Sequence, residues 1–397
     1  MNMTDIDVLI AGAGLAGSRC AETLRAGGYD GRVVVVGDEP HAPYERPALS
    51  KEMLTGARAP AALALRGDEF WTERDIELRL GSPLGGIDLG RRRALLDGEP
   101  VRWRHLVLAT GAQPRRLGFI PPAENVHHLR GLDQAQALRG ALSGGGRLVI
   151  IGSGFVGAEV ASSALSLGVE VTIVEALPLP FAATLGPQIG RRLADRYEAA
   201  GVDLRLGAGL TEVAVRGDRA ESVLLSDGTR LPCDAVLVAI GTRPATGFLD
   251  GALELAEDGG VPTDAFGATE VPGVYACGDL ASPWRPELGH HSRLEHWTAA
   301  AAGGAAVART IMGQTPPPPA PPYFWSDQFG WRLQMIGHAA PGADAEVEER
   351  EGGFVARYRD AEGAVTAALA VNRPGDLSAL RSEVVGTSTG GEAAKAA

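Results

Sequence analysis

Two glycine-rich turns 140 residues apart constrain this chain more than any other feature. Gly12-x-Gly14-x-x-Gly17 lies in VLIAGAGLAGSRCAETL, and Gly152-x-Gly154-x-x-Gly157 lies in LVIIGSGFVGAEVASSA. Each follows a short apolar run that reads as a buried parallel strand, and each opens a stretch rich in small, helix-forming residues. The first glycine of such a turn permits the tight strand-to-helix reversal. The second lets backbone approach a pyrophosphate, and the third lets helix and strand pack closely. The free N–H groups at the helix start then face the phosphates. Two such turns in full strand–turn–helix context, each with an acidic residue downstream, imply two bound dinucleotides.

The rest of the chain fits a doubled unit. RVVVV at 32–36 reads as a second strand, ending in Gly37-Asp38-Glu39, and RHLVLATGAQPR at 104–115 as a strand running into Ala109-Thr110-Gly111. The second unit opens with RLVII at 147–151, continues with EVTIVE at 170–175 and closes with DAVLVAIGTRP at 234–244. The two closing segments echo each other, which predicts tandem dinucleotide-binding domains. After Pro244 no third unit begins. EVPGVYACGDLA at 270–281 and the helical stretch 294–312 read as a return to the first domain. The expected division is 1–113 and 245–316 for the first domain, 114–244 for an inserted second, and 317–397 for a C-terminal module. That module follows the stiff connector TPPPPAPP at 315–322. Strands are expected at 331–339, 352–360 and 364–372, forming an antiparallel sheet, with a short helix near 374–383. The tail GTSTGGEAAKAA lacks apolar anchors and reads as disordered.

The chain has 397 residues, 45% hydrophobic and 22% charged, which suits two or three globular domains. No uncharged apolar run is long enough to span a membrane. The first strand starts within ten residues, so the expectation is a cytoplasmic protein without a leader. A net charge of −12 argues against nucleic-acid binding and requires any acidic partner to dock on a local basic patch. Arg191 and Arg192 are candidates for one. Cys20, Cys233 and Cys277 form no close pair and read as small buried side chains, and the His127-His128 and His290-His291 pairs match no ligand spacing, so no metal site is expected.

The acids assign the cofactors. Asp38 stands 21 residues after Gly17 and Glu175 stands 18 after Gly157, where a carboxylate accepts hydrogen bonds from ribose hydroxyls. Positions 176–182 carry no Arg or Lys, and a carboxylate repels a 2′-phosphate, so the second site is expected to prefer NADH, with NADPH disfavoured. The first site is expected to hold FAD, whose longer flavin half needs contacts from distant chain. Cys277-Gly278-Asp279 can supply them, with Asp279 accepting ribityl hydrogen bonds. A helix opening near Glu295-His296-Trp297 would aim its positive end at the flavin's pyrimidine edge.

Beyond the glycine turns, PYERPALSKE at 43–52, CGDLA at 277–281, EHWTAAAAGGAAVA at 295–308 and FWSDQFG at 324–330 carry a resemblance over nearly the whole chain. The sequence resembles the NAD(P)H-dependent ferredoxin reductases of bacterial oxygenase systems, the group of the putidaredoxin and rubredoxin reductases within the pyridine nucleotide-disulfide oxidoreductase superfamily. The resemblance implies an α/β fold with two Rossmann-like domains, glutathione reductase-like, and a small α+β C-terminal domain. It implies that Arg46 and Lys51 contact FAD, Lys51 near flavin N5. Leu15, Asp38, Glu39, Leu84, Arg130, Asp279, His296 and Trp297 would line the FAD site, with Trp325 against the isoalloxazine. Gly152, Gly154, Phe155, Val156 and Gly157 would cradle the NADH pyrophosphate. Glu159 would hold the carboxamide and pair with Lys51, Glu175 would bind ribose, and Ile240 and Gly241 would pass beneath the nicotinamide. Ala16, Ala109, Thr110, Gly111, Gly278 and Glu295 complete the cofactor-binding set. Many relatives carry an Arg shortly after the ribose-binding acid, and this chain does not.

Disulfide reductases of this fold carry a redox cysteine pair, and related oxidases carry one near the segment read here as Pro47-Ala48-Leu49-Ser50. This chain has Ser50 there. The expected activity is hydride transfer from NADH to FAD, aligned by Lys51 and Glu159, then single-electron transfer to a ferredoxin or rubredoxin that serves an oxygenase. The state would be monomer or homodimer. The competing readings are an NADH oxidase or diaphorase without a protein acceptor, and an NADH-sensing protein like apoptosis-inducing factor.

Overall fold

The computed structural model describes residues 4–286 and 288–384. By its internal contacts the chain forms two compact units. One gathers the described residues up to Glu45 with Ala61–Gln113 and Thr242–Ala320. The other gathers Arg46–Pro60, Pro114–Gly241 and the described residues from Pro321 on.

The first unit is built on a parallel sheet. In spatial order its strands are Ile76–Arg79, Val33–Val36, Thr4–Ala11, Glu99–Leu108 and Val274–Ala276. Leu9 sits between Val34 and Leu106, and Leu106 faces Val274, so four strand ends are level. The strands are near-continuous runs of Val, Ile and Leu because both faces are covered. Val8, Ile10, Val33, Val35 and Val107 pack with helices Leu15–Ala26 and Trp297–Ile311 on one face. Leu9, Val34, Val36, Leu106 and Leu108 pack on the other, against Val261 and Leu280. The first half of Glu99–Leu108 pairs antiparallel with Arg93–Leu96, which pairs in turn with Leu84–Asp88.

The second unit repeats the arrangement. Asp203–Leu206, Glu170–Glu175, Arg147–Ile151, Ala235–Val238 and Val126–His127 form a fully parallel sheet in that order. A separate antiparallel sheet holds Leu210–Arg216, Arg219–Leu225 and Arg230–Pro232.

The C-terminal sheet of this unit runs Tyr323–Gln328, Trp331–Gly337, Val365–Val371, Gly353–Arg359, Glu346–Arg350, all antiparallel. Three of these strands are the expected ones. Tyr323–Gln328 and Glu346–Arg350 are additional, and polar residues at both hide them from a hydrophobicity reading. One face of the sheet shares a core with helices Phe155–Ser166 and Ala182–Ala199, through Leu333, Met335, Phe354 and Leu369. The opposite face, with Ile336, Val355 and Ala368, is capped by Leu380 and Val384 of a helix over 377–384. The tail expected to be disordered lies outside the described residues. Among those residues no helix is long and apolar enough to cross a membrane.

Candidate functional site

Both glycine turns form the same backbone device, at the C-terminal ends of their parallel strands. In the first, Gly12 has φ +125°, and a Cβ there would lie 2.1 Å from the Ala109 carbonyl oxygen. A Cβ on Gly17 would lie 2.0 Å from the oxygen of Gly12. In the second, the matching contacts are Gly152 to Ala239 O at 2.5 Å and Gly157 to Gly152 O at 2.2 Å. The middle glycines differ from these. A Cβ on Gly14 or Gly154 would meet no atom within 4 Å. Each turn is thus packed against its own sheet at the outer glycines and open at the middle one. Helices Leu15–Ala26 and Phe155–Ser166 start there, and the first amides of a helix have no partner within it. Two open concavities lined by backbone N–H fit pyrophosphate groups.

Around the first turn, Leu15 and Ala16 open the helix, and Ala109-Thr110-Gly111 follow the central strand, with Thr110 Oγ1 donating to Ala245 O at 2.9 Å. Gly278 comes against Ala16, since its Cβ would lie 2.9 Å from that of Ala16. Helix Trp297–Ile311, with His296 at its N-cap, packs on Leu15–Ala26. A Cβ on Gly304 would lie 2.1 Å from Ala16 O. Arg293 donates to Asp279 O at 3.0 Å and pairs with Glu295 at 2.9 Å, and Thr242 also donates to Glu295. Asp38 is exposed, whereas Glu39 accepts from Tyr44 Oη at 2.5 Å. Leu84 does not join this group. It packs in the core on the other face of the sheet.

In the second unit, Glu175 ends its strand and reaches back to the turn. Ser153 N and Oγ donate to Glu175 Oε2 at 3.0 and 2.7 Å, and Leu177 N donates to Oε1 at 2.9 Å. Leu177 itself is 50% exposed. Phe155 packs on Phe181 and Phe324 at centroid distances of 4.6 and 4.8 Å, while Val156 is exposed. Ile240 and Gly241 follow strand Ala235–Val238, with Gly241 at φ +89° and accepting from Arg115 N. Arg46 donates to Arg130 O at 2.8 Å.

One turn into helix Phe155–Ser166 stands an ion pair between the buried Glu159 and the partly buried Lys51. Lys51 Nζ lies 2.8 Å from Glu159 Oε2, which also accepts from Ser50 Oγ at 2.6 Å. The other carboxylate oxygen, Oε1, accepts from Ser326 Oγ at 2.7 Å. Ser326 Oγ accepts from Gln328 Nε2 at 3.1 Å, and Gln328 Oε1 accepts from Tyr197 Oη. Ser163 Oγ donates to Ser50 O at 2.7 Å and fixes the loop that carries Ser50 and Lys51. Trp325 points away from this cluster. Successive side chains alternate along a strand, so Phe324, Ser326 and Gln328 face the helix while Trp325 stacks on Tyr323 at 6.2 Å.

Ser153, Tyr197, Ser326 and Gln328 escaped the sequence reading, which named Ser50 only as standing in place of a cysteine. The i, i+2 spacing of Ser326 and Gln328 within FWSDQ was a usable signal. Composition held another: Lys51 and Lys395 are the only lysines in the chain, every other cationic side chain being arginine.

The three cysteines are buried. Burial pushes the Cys20 thiol well up, with Cys277 adding to it, and raises Cys277 to about 12 and Cys233 to about 11. A thiol so placed is a poor nucleophile. His127 and His128 are shifted down by burial, His127 also by His128 and Arg219, and His128 also by Arg116. Among the described residues no three His, Cys, Asp or Glu side chains gather as a metal site. Arg192 is committed to an ion pair with Glu349.

Residues 6–304 match the family model for pyridine nucleotide-disulphide oxidoreductases, and residues 323–394 match the reductase C-terminal model. The ferredoxin–NAD(+) reductase component of the p-cumate 2,3-dioxygenase system of Pseudomonas putida is 38% identical, covering 94% of this chain and 92% of its own. A rubredoxin–NAD(+) reductase of Ectopseudomonas oleovorans is 36% identical, covering 83% and 86%. Among solved structures, the covalent putidaredoxin reductase–putidaredoxin complex superposes with a TM-score of 0.90 at 31% identity, over 96% of this chain and 94% of that one.

Proposed function

The chain belongs to the pyridine nucleotide-disulphide oxidoreductase family and is an oxidoreductase working with a flavin and a pyridine nucleotide. On that premise we propose that it takes hydride from NADH onto FAD and delivers single electrons to a ferredoxin- or rubredoxin-type protein serving an oxygenase. The observation that carries this reading is the pair of matching cradles, each closed by its outer glycines and open at Gly14 and Gly154. Two dinucleotides need two such cradles, and an enzyme with only one would not keep both.

FAD, when bound, supplies the conversion of a hydride pair into single electrons. Gly12, Gly14 and Gly17 would hold its pyrophosphate, and Asp38 or Glu39 its ribose. Gly278, against Ala16 of the first helix, and the start of helix Trp297–Ile311, which packs on the same helix, would reach its flavin half. Gly152, Gly154 and Gly157 would hold the NADH pyrophosphate, with Glu175 on the ribose. Ser153 orients Glu175 by two hydrogen bonds, so the carboxylate is set before the nucleotide arrives. A carboxylate there, followed by the exposed apolar Leu177, favours a ribose hydroxyl over a 2′-phosphate.

Lys51 brings a positive charge held by Glu159, and such a fixed cation stabilises negative charge as it develops on an acceptor ring. Ser50 occupies the place where a reactive thiol would intercept electrons, and its hydroxyl is spent on Glu159. The buried cysteines offer no thiolate. Electrons therefore leave to an external acceptor.

The test begins with the visible spectrum of the purified protein. A yellow preparation is expected, and a colourless one that FAD cannot reconstitute overturns the proposal. Stopped-flow reduction should then be faster with NADH than with NADPH, and reoxidation should be strongly accelerated by a small ferredoxin or rubredoxin. Rapid turnover with oxygen alone and no stimulation by either carrier would leave an oxidase instead.

A further inference from the structure

The C-terminal sheet is more than a cover for the second unit, because its first strand enters the Lys51–Glu159 pair. We propose that Ser326, held by Gln328 and Tyr197, is a positioning residue for hydride transfer: it fixes the Glu159 carboxylate and, through it, the Lys51 ammonium. The assignment rests on the proposed function for its chemical purpose and on the hydrogen-bond chain for its existence.

The chain has one consistent direction. Tyr197 Oη donates to Gln328 Oε1, Gln328 Nε2 donates to Ser326 Oγ, and Ser326 Oγ donates to Glu159 Oε1 at 2.7 Å. Each member is buried: Tyr197 and Ser326 are fully enclosed, and Gln328 and Glu159 keep only 3% and 7% of their surface. Burial, with the nearby charge of Glu159, pushes the Tyr197 hydroxyl up, so it stays a donor. A Ser hydroxyl that already accepts from Gln328 has its own proton free to donate, and Glu159 Oε1 is where that proton goes. The strand is docked at its end as well, since Phe329 N donates to Ser162 Oγ at 2.8 Å and Tyr197 packs on Phe329 at 4.6 Å.

The two carboxylate oxygens thus have separate tasks. Oε2 takes Lys51 and Ser50, and Oε1 takes Ser326. Removing the Ser326 hydroxyl leaves Oε1 buried without that donor, and frees the carboxylate to turn away from Lys51. The ammonium then loses part of its hold on the carboxylate and becomes more open to an added reagent.

The low lysine count makes the test clean, because Lys51 and Lys395 are the only side-chain amines. Holoprotein of the wild type, Ser326→Ala, Ser326→Thr and Tyr197→Phe would be pulsed with an acetylating reagent. The Lys51 to Lys395 labelling ratio would be read by peptide mass spectrometry, and flavin reduction by NADH followed by stopped flow. For Ser326→Ala the ratio should rise about tenfold, the loss expected for a hydrogen bond to a charged group. The limiting reduction rate should fall by a similar factor, with the half-saturating NADH concentration within about twofold of wild type. Ser326→Thr, which keeps the hydroxyl, should restore both. Tyr197→Phe should move both in the same direction by roughly threefold, as the far end of the relay.

An unchanged Lys51 ratio in Ser326→Ala overturns the proposal, and so does a Thr variant as fast-labelling as the Ala variant. If Ser326→Ala fails to fold, Tyr197→Phe decides, and an unmoved ratio there overturns it too. Wild-type protein with slow Lys51 labelling but no reduction by NADH would remove the proposed function while leaving the coupling of Ser326 to Lys51 standing. Normal NADH reduction with unmoved labelling would remove the relay alone.

Discussion

The two glycine cradles share their backbone and differ in the side chains around it. Gly12 N donates to Val36 O at 2.7 Å, and Gly152 N donates to Val174 O at 2.8 Å. These matching bonds align the units residue by residue, so Glu175 stands where Gly37 stands in the first unit. Ser153 likewise matches Ala13, and Glu159 matches Arg19. In the first unit a Cβ on Gly37 would lie 2.8 Å from that of Ala13, so no side chain can be placed there and the acid moves on to Asp38. In the second unit the space is taken by the Ser153–Glu175 hydrogen bonds. At the third pair, Arg19 pairs with its own-helix neighbour Glu22 at 2.8 Å, whereas Glu159 draws in Lys51, Ser50 and Ser326.

The lesson is that the backbone device is the same in both turns and the difference lies in the side chains around it. The first cradle is wrapped by small residues, with Gly278 and Gly304 both against Ala16. Such close backbone contact suits a group that stays. The second cradle carries polar side chains, Ser153 and Glu175, joined to each other by two hydrogen bonds.

The largest expected effect separates the cradles outright. Gly17→Val should yield colourless protein, because even its Cβ would lie 2.0 Å from Gly12 O. Gly157→Val, with the corresponding contact at 2.2 Å, should keep the yellow colour and lose reduction by NADH. Flavin content per polypeptide and stopped-flow reduction check this, and loss of colour in both variants would break the division of labour.

Next, Lys51→Ala should lower the limiting rate of flavin reduction by roughly 100-fold, the scale of removing one fixed electrostatic stabiliser. An unaltered rate would take Lys51 out of the chemistry. A smaller change is expected from Glu175→Ala, which should weaken NADH over NADPH discrimination by ~1–2 kcal/mol through lost ribose hydrogen bonds. The ratio of kcat/KM for the two nucleotides measures it, and a constant ratio would move ribose recognition elsewhere. The smallest effect belongs to Ser153→Ala, which frees Glu175 and should cost ~0.5–1.5 kcal/mol of NADH binding, read by titration. The reciprocal Ala13→Ser should leave flavin retention unchanged, because Gly37 offers no side chain for the hydroxyl to hold.

Much of the fold was legible in the amino-acid sequence. The strand–turn–helix order at both fingerprints and the strands read at 32–36, 147–151 and 170–175 follow from apolar runs and glycine spacing. Those signals are local, and local sterics decide them. FWSDQ was recognisable by resemblance, but only the pleat of Tyr323–Gln328 turns Ser326 and Gln328 toward Glu159 and Trp325 away. Strand Glu346–Arg350 was hidden by its four charged residues, which an exposed edge tolerates.

The chain by itself determined two glycine turns, each between a buried strand and a helix, because backbone turns and buried strands are written in short-range patterns, while Lys51 and Glu159 were marked only by resemblance. The tertiary structure alone decided that Arg46–Pro60 and the C-terminal sheet gather with the second cradle. It also decided that Ser50, Ser326, Gln328 and Tyr197 meet at Glu159. Those residues lie up to 278 positions apart, from Ser50 to Gln328. A hydrogen bond needs atoms about 3 Å apart, and no local pattern encodes which distant side chains folding will bring that close.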